Sequence, residues 1–301
     1  MASGGLEAWD SRDLEALLQP GTIDPWTFLT RRTSPNARGH VFGGQLLGNA
    51  LKAAAMTVPP GRPASALQFM FLQSALPDRP VRLEVSPLQD GKRFVSRHVR
   101  GTQEGDAPAQ RRVVLDAQAT FALSLPGPEH ATPSRAGTAD PESLPPLETL
   151  SKESADAIWR TLGYPLDSTA LDLRMADPGQ HLGLNGPTPA IRFWLRSRAA
   201  LPDAPALHAA AFAYLSDWWL NFASVGIHVP ALDRGHERLH VASLNHAIWF
   251  HRPLRADRWL HFDVQSPRAA AGRGLSVATV HDLDGSLVAS ATQENLMTPA
   301  S

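Results

Sequence analysis

The sequence predicts an α+β fold made of two copies of one unit, each a helix combined with an antiparallel sheet. Three observations support this prediction: the order of the apolar patterns, the restart of that order in the second half, and a proline-rich stretch between the halves. The chain has 301 residues, 43% hydrophobic and 19% charged, which is typical of a globular protein of about two domains. We expect an N-terminal repeat at 1–123, a connector at 124–166 and a C-terminal repeat at 167–301.

The first half contains one long helix followed by a run of strands. Residues 6–18 place leucines on one side of a short helix that Pro20-Gly21 ends, and residues 26–30 are typical of a strand. Residues 43–56 carry apolar side chains at helical spacing, so they predict a longer helix that stops before Pro59-Pro60-Gly61. The predicted strands of the antiparallel meander that follows are 64–72, 81–88, 94–102 and 112–123.

The second half repeats this order after a connector in which prolines interrupt regular structure. We predict one short helix in the connector, at 147–162, and then two strands and a helix at 169–175, 191–198 and 206–225. The remaining predicted strands are 239–250, 259–265, 275–282 and 287–297. Asp284-Gly285 predicts a tight hairpin turn between the last two.

The restart is an internal repeat that direct alignment makes visible. Residues 71–85 align without a gap with 250–264, where Phe, Asp-Arg and Val coincide. At an offset one residue larger, Ser96 aligns with Ser276. Two copies in one chain predict a pseudo-twofold pair, with either the sheets joined edge to edge or the helices facing each other.

We expect function where the two copies differ by a polar group in an apolar setting. Three aligned pairs show such a difference: Gln45 with Asp217, Ala64 with Ser243, and Phe121 with Gln293. The second copy therefore has Asp, Ser and Gln where the first has Gln, Ala and Phe.

Each of these three residues also has a structural interpretation. Asp217 is predicted to lie in the middle of an apolar helix, where a buried carboxylate is costly unless donors reach it, but it also fits a helix residue that reaches solvent. Strict strand alternation places Ser243 on the face opposite His246, and taken alone Ser243 is typical of a structural serine. Gln293 taken alone fits an exposed strand end.

Composition excludes several classes of protein and of site. With 28 Lys+Arg against 29 Asp+Glu, the charge of -1 predicts no nucleic-acid partner and no anionic membrane surface. The absence of cysteine excludes disulfides, cysteine-zinc sites and a catalytic thiol. No stretch approaches a membrane span of ~18 apolar residues, and the acidic start does not fit a secretory signal, so we expect a cytoplasmic protein without membrane insertion. His246 and His251 lack a third ligand at metal spacing, and no nucleotide-binding loop is present, so neither metal nor cofactor is expected.

Four motifs resemble the acyl-CoA thioesterase II (TesB-like) family. They are Val41-Phe42-Gly43-Gly44-Gln45, Tyr214-Leu215-Ser216-Asp217, residues 242–253 with Trp249-Phe250-His251-Arg252-Pro253, and residues 288–294. The resemblance spans roughly residues 10–298. It implies a double hotdog, in which each of two sheets wraps a long central helix, and it implies hydrolysis of fatty acyl-CoA to free acid and CoA.

The resemblance also implies a catalytic set. In the family, an Asp, a Ser or Thr and a Gln of the second hotdog form a hydrogen-bonding group that orients water, and they match Asp217, Ser243 and Gln293. The chain departs from the family pattern in two places. Asn245 stands where an Asp is usual, and residues 65–68 replace a His-rich stretch, which bears on the pocket wall and the acyl preference.

The expected substrate-binding residues are Gly43, Gly44, Gln45, Trp218, Trp249 and Arg252. Backbone N–H groups near Gly43 and Gly44, at the start of a helix, suit an oxyanion, although tight packing of helix on sheet explains the glycines equally well. Trp218 and Trp249 are predicted to be core or pocket-lining aromatics. Arg252 is predicted either to meet CoA phosphates or to be a solvated surface residue.

Two other functions stay open on the sequence alone. One is a non-catalytic protein that binds or senses acyl-CoA with the same fold, because a fold does not determine activity. The other is a hotdog hydratase, which would need a His paired with the helix acid, whereas His208 is nine residues from Asp217. Acyl-CoA is the expected partner in each case, and further assembly into a homo-oligomer is also open.

Overall fold

Two half-sheets join into one twelve-stranded antiparallel sheet that carries two long helices on its inner face. The computed structural model describes residues 6–105, 110–136, 140–162, 168–182 and 189–300. The strands run in the order β1-β2-β4-β5-β6-β3-β9-β12-β11-β10-β8-β7, numbered along the chain with the bounds given below. Read outward from the centre, the two halves have the same order, so the predicted α+β pseudo-twofold pair is confirmed.

In the first half, the elements are α1 (Leu14–Leu17), β1 (Gly21–Asp24), β2 (Thr27–Leu29), α2 (Gly43–Ala55), β3 (Ala64–Phe71), β4 (Arg82–Asp90), β5 (Phe94–Glu104) and β6 (Arg111–Ala122). The strands of the meander begin and end within two residues of their predicted bounds, because one face of each is buried and the alternation is clear. The predicted helix at 6–18 is wrong in length, since only four of those residues are helical. The side chain of Asp13 caps α1 by accepting from the backbone N–H of Ala16.

In the second half, the elements are α3 (Lys152–Leu162), β7 (Leu171–Arg174), α4 (Pro178–His181), β8 (Ala190–Ser197), α5 (Pro205–Ser216), α6 (Phe222–Val225), α7 (Val229–Gly235), β9 (Leu239–Phe250), β10 (Leu260–Ala270), β11 (Arg273–His281) and β12 (Leu287–Pro299). Short 3₁₀ turns lie at Pro141–Ser143, Leu147–Thr149 and Gly226–His228. The hairpin turn between β11 and β12 is present, and Gly285 adopts a φ of 76° there.

The predicted helix at 206–225 is wrong beyond Ser216. Asp217 is not in the middle of a helix but caps the C-terminus of α5, and turns separate it from α6. The hydroxyl of Ser216 donates to the backbone carbonyl of Ala213. Such local bonds from a serine side chain to the backbone compete with the backbone hydrogen bonds that would continue the helix. The residues that follow, Trp218-Trp219-Leu220, are apolar, so the sequence pattern does not show that the helix ends here.

The two halves meet at both of the contacts that the repeat predicted. The sheets join edge to edge through β3 and β9, where Gln68 lies opposite Ala247. The helices α2 and α5 run antiparallel and cross closely at Gly48, where an added Cβ would lie 2.8 Å from the backbone oxygen of Ala210. The core lies between these helices and the sheet, and α5 is buried on all sides over most of its length.

Two of the aligned repeat pairs are wrong. Counted from the first residues of α2 and α5, the counterpart of Asp217 is Ala55 and not Gln45. The ungapped alignment extends back through β3 and β9 and pairs Leu67 with His246. Leu67 lies opposite Ala119, and His246 lies opposite Gln293, so the counterpart of Gln293 is Ala119 and not Phe121.

The same register shows that Ser276 corresponds to Arg97 and not to Ser96. Arg97 lies opposite Ala119 in the first half, and Ser276 lies opposite Gln293 in the second. The errors at Asp217 and Gln293 arise because the connecting segments of the two repeats differ in length, so one sequence offset does not hold throughout. The error at Ser276 has the opposite cause, since the offset of the ungapped alignment itself pairs Arg97 with Ser276. The pair of Ala64 and Ser243 keeps the offset of the ungapped alignment.

Other expectations fall outside what the structure tests. The boundary between connector and second repeat, at 166 and 167, lies outside the described residues, and the domain bounds stay a prediction. Among the described residues, none of the helices is both long and apolar enough to cross a bilayer.

Candidate active site

Three elements bring Asp217, Ser243 and Gln293 together beneath a cavity. Asp217 lies at the end of α5, Ser243 on β9 and Gln293 on β12. The side-chain amide Nε2 of Gln293 donates to Asp217 Oδ1 at 2.5 Å and to Ser243 Oγ at 2.8 Å. Ser243 Oγ in turn donates to Asp217 Oδ1 at 3.4 Å. The three polar side chains therefore form one closed hydrogen-bonded group in an apolar core.

A β-bulge in β9 turns Ser243 toward this group. Across β12, Asn245 lies opposite Glu294 while Ser243 lies opposite Asn295, so Leu244 is the extra residue on β9. The bulge puts Ser243 on the same face as His246 and Gln293. The expectation that Ser243 and His246 face opposite sides is wrong, because strict alternation fails at a bulge.

The Asp217 carboxylate is buried, and burial raises its pKa to about 7. Hydrogen bonds from Gln293, Ser243 and the backbone N–H of Gly44 lower the pKa and offset part of this effect. A carboxyl group poised near neutral pH can both accept and return a proton, which is the property a general base and acid needs.

The first repeat contributes the N-terminus of α2 to the same place. An added Cβ on Gly43 would lie 2.5 Å from Asp217 Oδ2, and one on Gly44 would collide with the backbone oxygen of Tyr214. Glycine is thus needed at both positions for the helices to approach. The close approach supports the tight-packing interpretation of these glycines, and the N–H of Gly44 also donates to Asp217. The oxyanion interpretation stays a prediction.

The cavity beside this group has a volume of about 710 Å³. Asp217 and Ser243 line it, together with Gly43 and the aromatic side chains of Phe42, Phe71, Tyr214, Trp218 and Trp219. Gln293 is fully buried and lies behind Asp217 and Ser243 rather than on the cavity surface. An apolar pocket with one titratable group at its wall suits a substrate that has a long apolar part.

The structure places the other predicted binding residues differently. Gln45 is buried and braces the loop before α2, because its Oε1 accepts from the N–H of Ser34 at 2.6 Å and its Nε2 donates to the carbonyl of Arg32 at 2.7 Å. Trp249 is 39% exposed, and neither it nor Arg252 lines the cavity. Trp218 lines the cavity as predicted.

Sequence reasoning did not place two further residues beside this hydrogen-bonded group. Ser276 lies directly opposite Gln293 across β11 and β12 and is fully buried. His246 lies opposite Gln293 on the other side, its Nε2 is 3.0 Å from the hydroxyl of Ser216, and burial lowers its pKa to about 3, so the ring is neutral. The ungapped alignment, extended at the same offset, shows that both differ from their counterparts Leu67 and Arg97, but only the sheet register shows that they lie beside Gln293.

The symmetry-related location in the first repeat lacks all three groups. Its counterparts of Asp217, Ser243 and Gln293 are Ala55, Ala64 and Ala119. Buried Arg97, the counterpart of Ser276, lies beside it. The guanidinium donates to the hydroxyl and carbonyl of Thr57 and to the carboxylate of Asp90, which is a structural arrangement.

Within the described part of the chain, no group of three or more His, Asp or Glu side chains is placed to hold a metal ion. The polar atoms at this site are a carboxylate, a hydroxyl and an amide.

Comparison with known proteins identifies the family to which this chain is similar. Residues 30–122 match the family model described as the acyl-CoA thioesterase N-terminal domain, and residues 141–297 match the acyl-CoA thioesterase C-terminal domain. Human acyl-coenzyme A thioesterase 8 is 28% identical over 265 residues, which cover 85% of this chain and 80% of that protein.

Solved structures agree as well. The acyl-CoA thioesterase II TesB2 from Mycobacterium marinum superposes with a TM-score of 0.76 at 29% identity, covering 96% of this chain and 99% of that one. A protein from Alicyclobacillus acidocaldarius described as having a hot dog fold superposes with a TM-score of 0.72 at 17% identity, covering 96% and 98%. The second likeness bears on the fold alone, and it confirms the double hotdog.

Proposed function

The chain belongs to the acyl-CoA thioesterase II family, and we propose that it hydrolyses its acyl-CoA substrate by water attack with Asp217 as the general base. The observation that carries the proposal is the buried carboxylate at the cavity wall, held by Gln293 at 2.5 Å and with a pKa of about 7. Such a group is half ionised near neutral pH and is fixed in one orientation, as proton transfer to and from a bound water requires.

In the first step, Asp217 takes a proton from a water in the cavity. The water oxygen forms a bond to the thioester carbonyl carbon, and the carbonyl oxygen becomes an oxyanion. The carbon–sulfur bond then breaks as the oxyanion collapses, and Asp217 returns its proton to the CoA sulfur. The products are the free acid and CoA, and the carboxylate is regenerated without a covalent acyl-enzyme.

Ser243 and Gln293 position the base. The amide of Gln293 donates one N–H to Asp217 and the other to Ser243, so it locks both acceptors from behind the cavity. Because Gln293 does not line the cavity, the water is oriented by Asp217 and Ser243.

The oxyanion is assigned to the N-terminus of α2. The N–H of Gly44 already donates to Asp217, which leaves the first helical N–H, at Gly43, to face the cavity. The positive end of a thirteen-residue helix favours negative charge at this point. A side chain on Gly43 would fill the space that the thioester needs.

The alternatives predict different behaviour. A non-catalytic binder would bind acyl-CoA without releasing CoA. A hydratase would need a histidine beside the acid, but the hydrogen bonds described for Asp217 come from Gln293, Ser243 and Gly44. The cytoplasmic location and the homo-oligomer both stay predictions.

The test is free-thiol release from acyl-CoA by Asp217→Asn and Gln293→Ala, measured in a chain whose lack of cysteine gives no thiol background. We expect kcat to fall by roughly 10²–10⁴-fold for Asp217→Asn, as for removal of a positioned acid–base group, and by less for Gln293→Ala. Asp203→Asn is the matched control, because that aspartate side chain is 92% exposed. Wild-type turnover in a folded Asp217→Asn protein would remove Asp217 from the chemistry.

A further inference from the structure

The wall of the cavity holds two formally charged side chains, Asp217 and Arg38, and they serve different chemistry. Asp217 is buried beside the reacting group, whereas Arg38 is exposed and belongs to the loop that leads into α2. Within the described residues, no ion pair joins Arg38 to a carboxylate. A guanidinium at the rim of a ligand cavity without a protein anion is typical of a site for an anionic group of the ligand.

The loop holds Arg38 in a fixed position. The side chain of Asn36 accepts from the backbone N–H groups of Arg38 and His40 at 2.9 and 3.1 Å, and Gly39 adopts a φ of 73° that few other residues tolerate. The tight loop therefore fixes the backbone from which the Arg38 side chain extends, which lowers the entropy cost of binding.

Arg38 reaches from the first repeat onto the second. One Nη donates to the backbone oxygen of Val241 and lies 3.4 Å from Nδ1 of His240, both at the start of β9. Val241 precedes the proposed catalytic Ser243 by two residues, which is about 7 Å along a strand. The contacts described for Arg38 use only Nη1, so the Nη2 and Nε edge of the guanidinium is available to a bidentate acceptor.

We propose that Arg38, with His240 beside it, binds a phosphate group of the CoA part of the substrate. This inference rests on the proposed thioesterase function and adds a binding site for the nucleotide end. The acyl chain enters the aromatic interior, while the phosphates stay near water, and the exposed rim fits that requirement. A carboxylate at the far end of the acyl chain shares the anionic chemistry but would have to return to the exposed rim.

The test compares two substrates that carry the same acyl group, one on CoA and one on pantetheine, which has no phosphate. For Arg38→Ala, we expect the KM for acyl-CoA to rise by on the order of tenfold, which is about 1.4 kcal/mol, with kcat little changed. The kinetics with acyl-pantetheine should match those of the wild type. Arg268→Ala is the control, since Arg268 is exposed on β10 away from the cavity.

Two results would overturn the proposal. An equal rise of KM with both substrates would make Arg38 a brace for the loop, and a defect confined to acyl groups with a terminal carboxylate would assign the site to that group. A partial rescue of KM by Arg38→Lys with acyl-CoA supports the phosphate assignment, because lysine keeps the charge but not the fork.

Binding of free CoA separates this inference from the mechanism. We expect calorimetry on Asp217→Asn to show CoA binding that Arg38→Ala weakens in the same background. That result would hold even if Asp217 were not the base. CoA binding that is unaffected by Arg38→Ala would defeat the phosphate site and leave the hydrolytic mechanism standing.

Discussion

The Asp217 carboxylate titrates near neutral pH because it is buried and its donors only partly offset the loss of solvation. The base must be ionised to accept a proton. We therefore expect kcat to rise about tenfold per pH unit below an apparent pKa near 7 and to level off above it. Gln293→Ala removes a donor that lowers this pKa, so its profile should shift to higher pH. A wild-type profile that is flat across this range would contradict the assignment.

The same burial has a cost in stability. The pKa of Asp217 is raised above the ordinary value of 3.8, so the folded protein holds this proton more tightly than the unfolded chain. The group is neutral in both states below about pH 4, and its penalty develops as the pH rises toward 7.

We therefore expect Asp217→Asn to gain stability over the wild type between about pH 4 and 7, and the gain to stay constant above that range. One pKa unit corresponds to about 1.4 kcal/mol, so the gain is at most a few kcal/mol. Urea unfolding at several pH values measures it. An Asn variant whose free energy of unfolding follows that of the wild type at every pH would show that the carboxylate is not destabilised.

The grouping of three polar residues in the second repeat could be predicted from the sequence, but the geometry of the group could not. Asp217, Ser243 and Gln293 match residues of the family motifs, whereas the repeat alignment that also singled them out paired Asp217 and Gln293 with the wrong counterparts. The bulge at Leu244 inserts one residue and leaves no periodic signal, so strict alternation put Ser243 on the wrong face. Arg38 has no such contrast in sequence, since its importance comes from a contact with Val241 more than two hundred residues away.

At the scale of elements, the site depends on how closely α2 approaches α5. Gly43→Ala would place a Cβ 2.5 Å from Asp217 Oδ2 and 2.9 Å from Phe71, so we expect kcat to fall at least tenfold. Gly48→Ala would place a Cβ 2.6 Å from Leu18 and 2.8 Å from the backbone of Ala210, away from the carboxylate. That variant should lose about 1–3 kcal/mol of stability by overpacking.

Steady-state kinetics and urea unfolding on both variants separate these effects. Alanine also favours a helix by up to about 1 kcal/mol over glycine, which reduces the loss at Gly48. Full activity of Gly43→Ala would contradict the close contact between the start of α2 and Asp217 that the structure shows.

Element bounds were predictable where one face is buried and the period is regular. The strands of the first meander and the helix α2 fit that case, whereas β10 runs to Ala270, five residues past its predicted end at 265. The end of α5 could not be predicted in this way. Most residues on both sides of Asp217 are apolar and the helix is buried on all sides, so no amphipathic pattern shows where α5 ends.

At the scale of the whole molecule, the shared sheet and the helix pair predict one cooperative unfolding transition. Six of the eight tryptophans follow residue 150, so tryptophan fluorescence reports mainly on the second half. Leu83→Ala removes a fully buried side chain from β4 in the first half and should cost about 2–5 kcal/mol. We expect fluorescence and circular dichroism to show the same shift in midpoint.

A fluorescence midpoint that stays at the wild-type value would show that the halves unfold separately. The repeat itself was visible in the sequence, and it gave the pseudo-twofold architecture. It could not give the register between repeats, because loops of unequal length change the offset from one element to the next.

Arg97 and Asp217 show that the two halves use equivalent locations for different groups. The first repeat uses its alanine-lined location for a fully bonded guanidinium, which adds rigidity. The second keeps a buried acid with a raised pKa, which is the proposed general base. Because both halves share one sheet, the stability that a buried acid costs in the second repeat is lost from the whole molecule and not from that repeat alone.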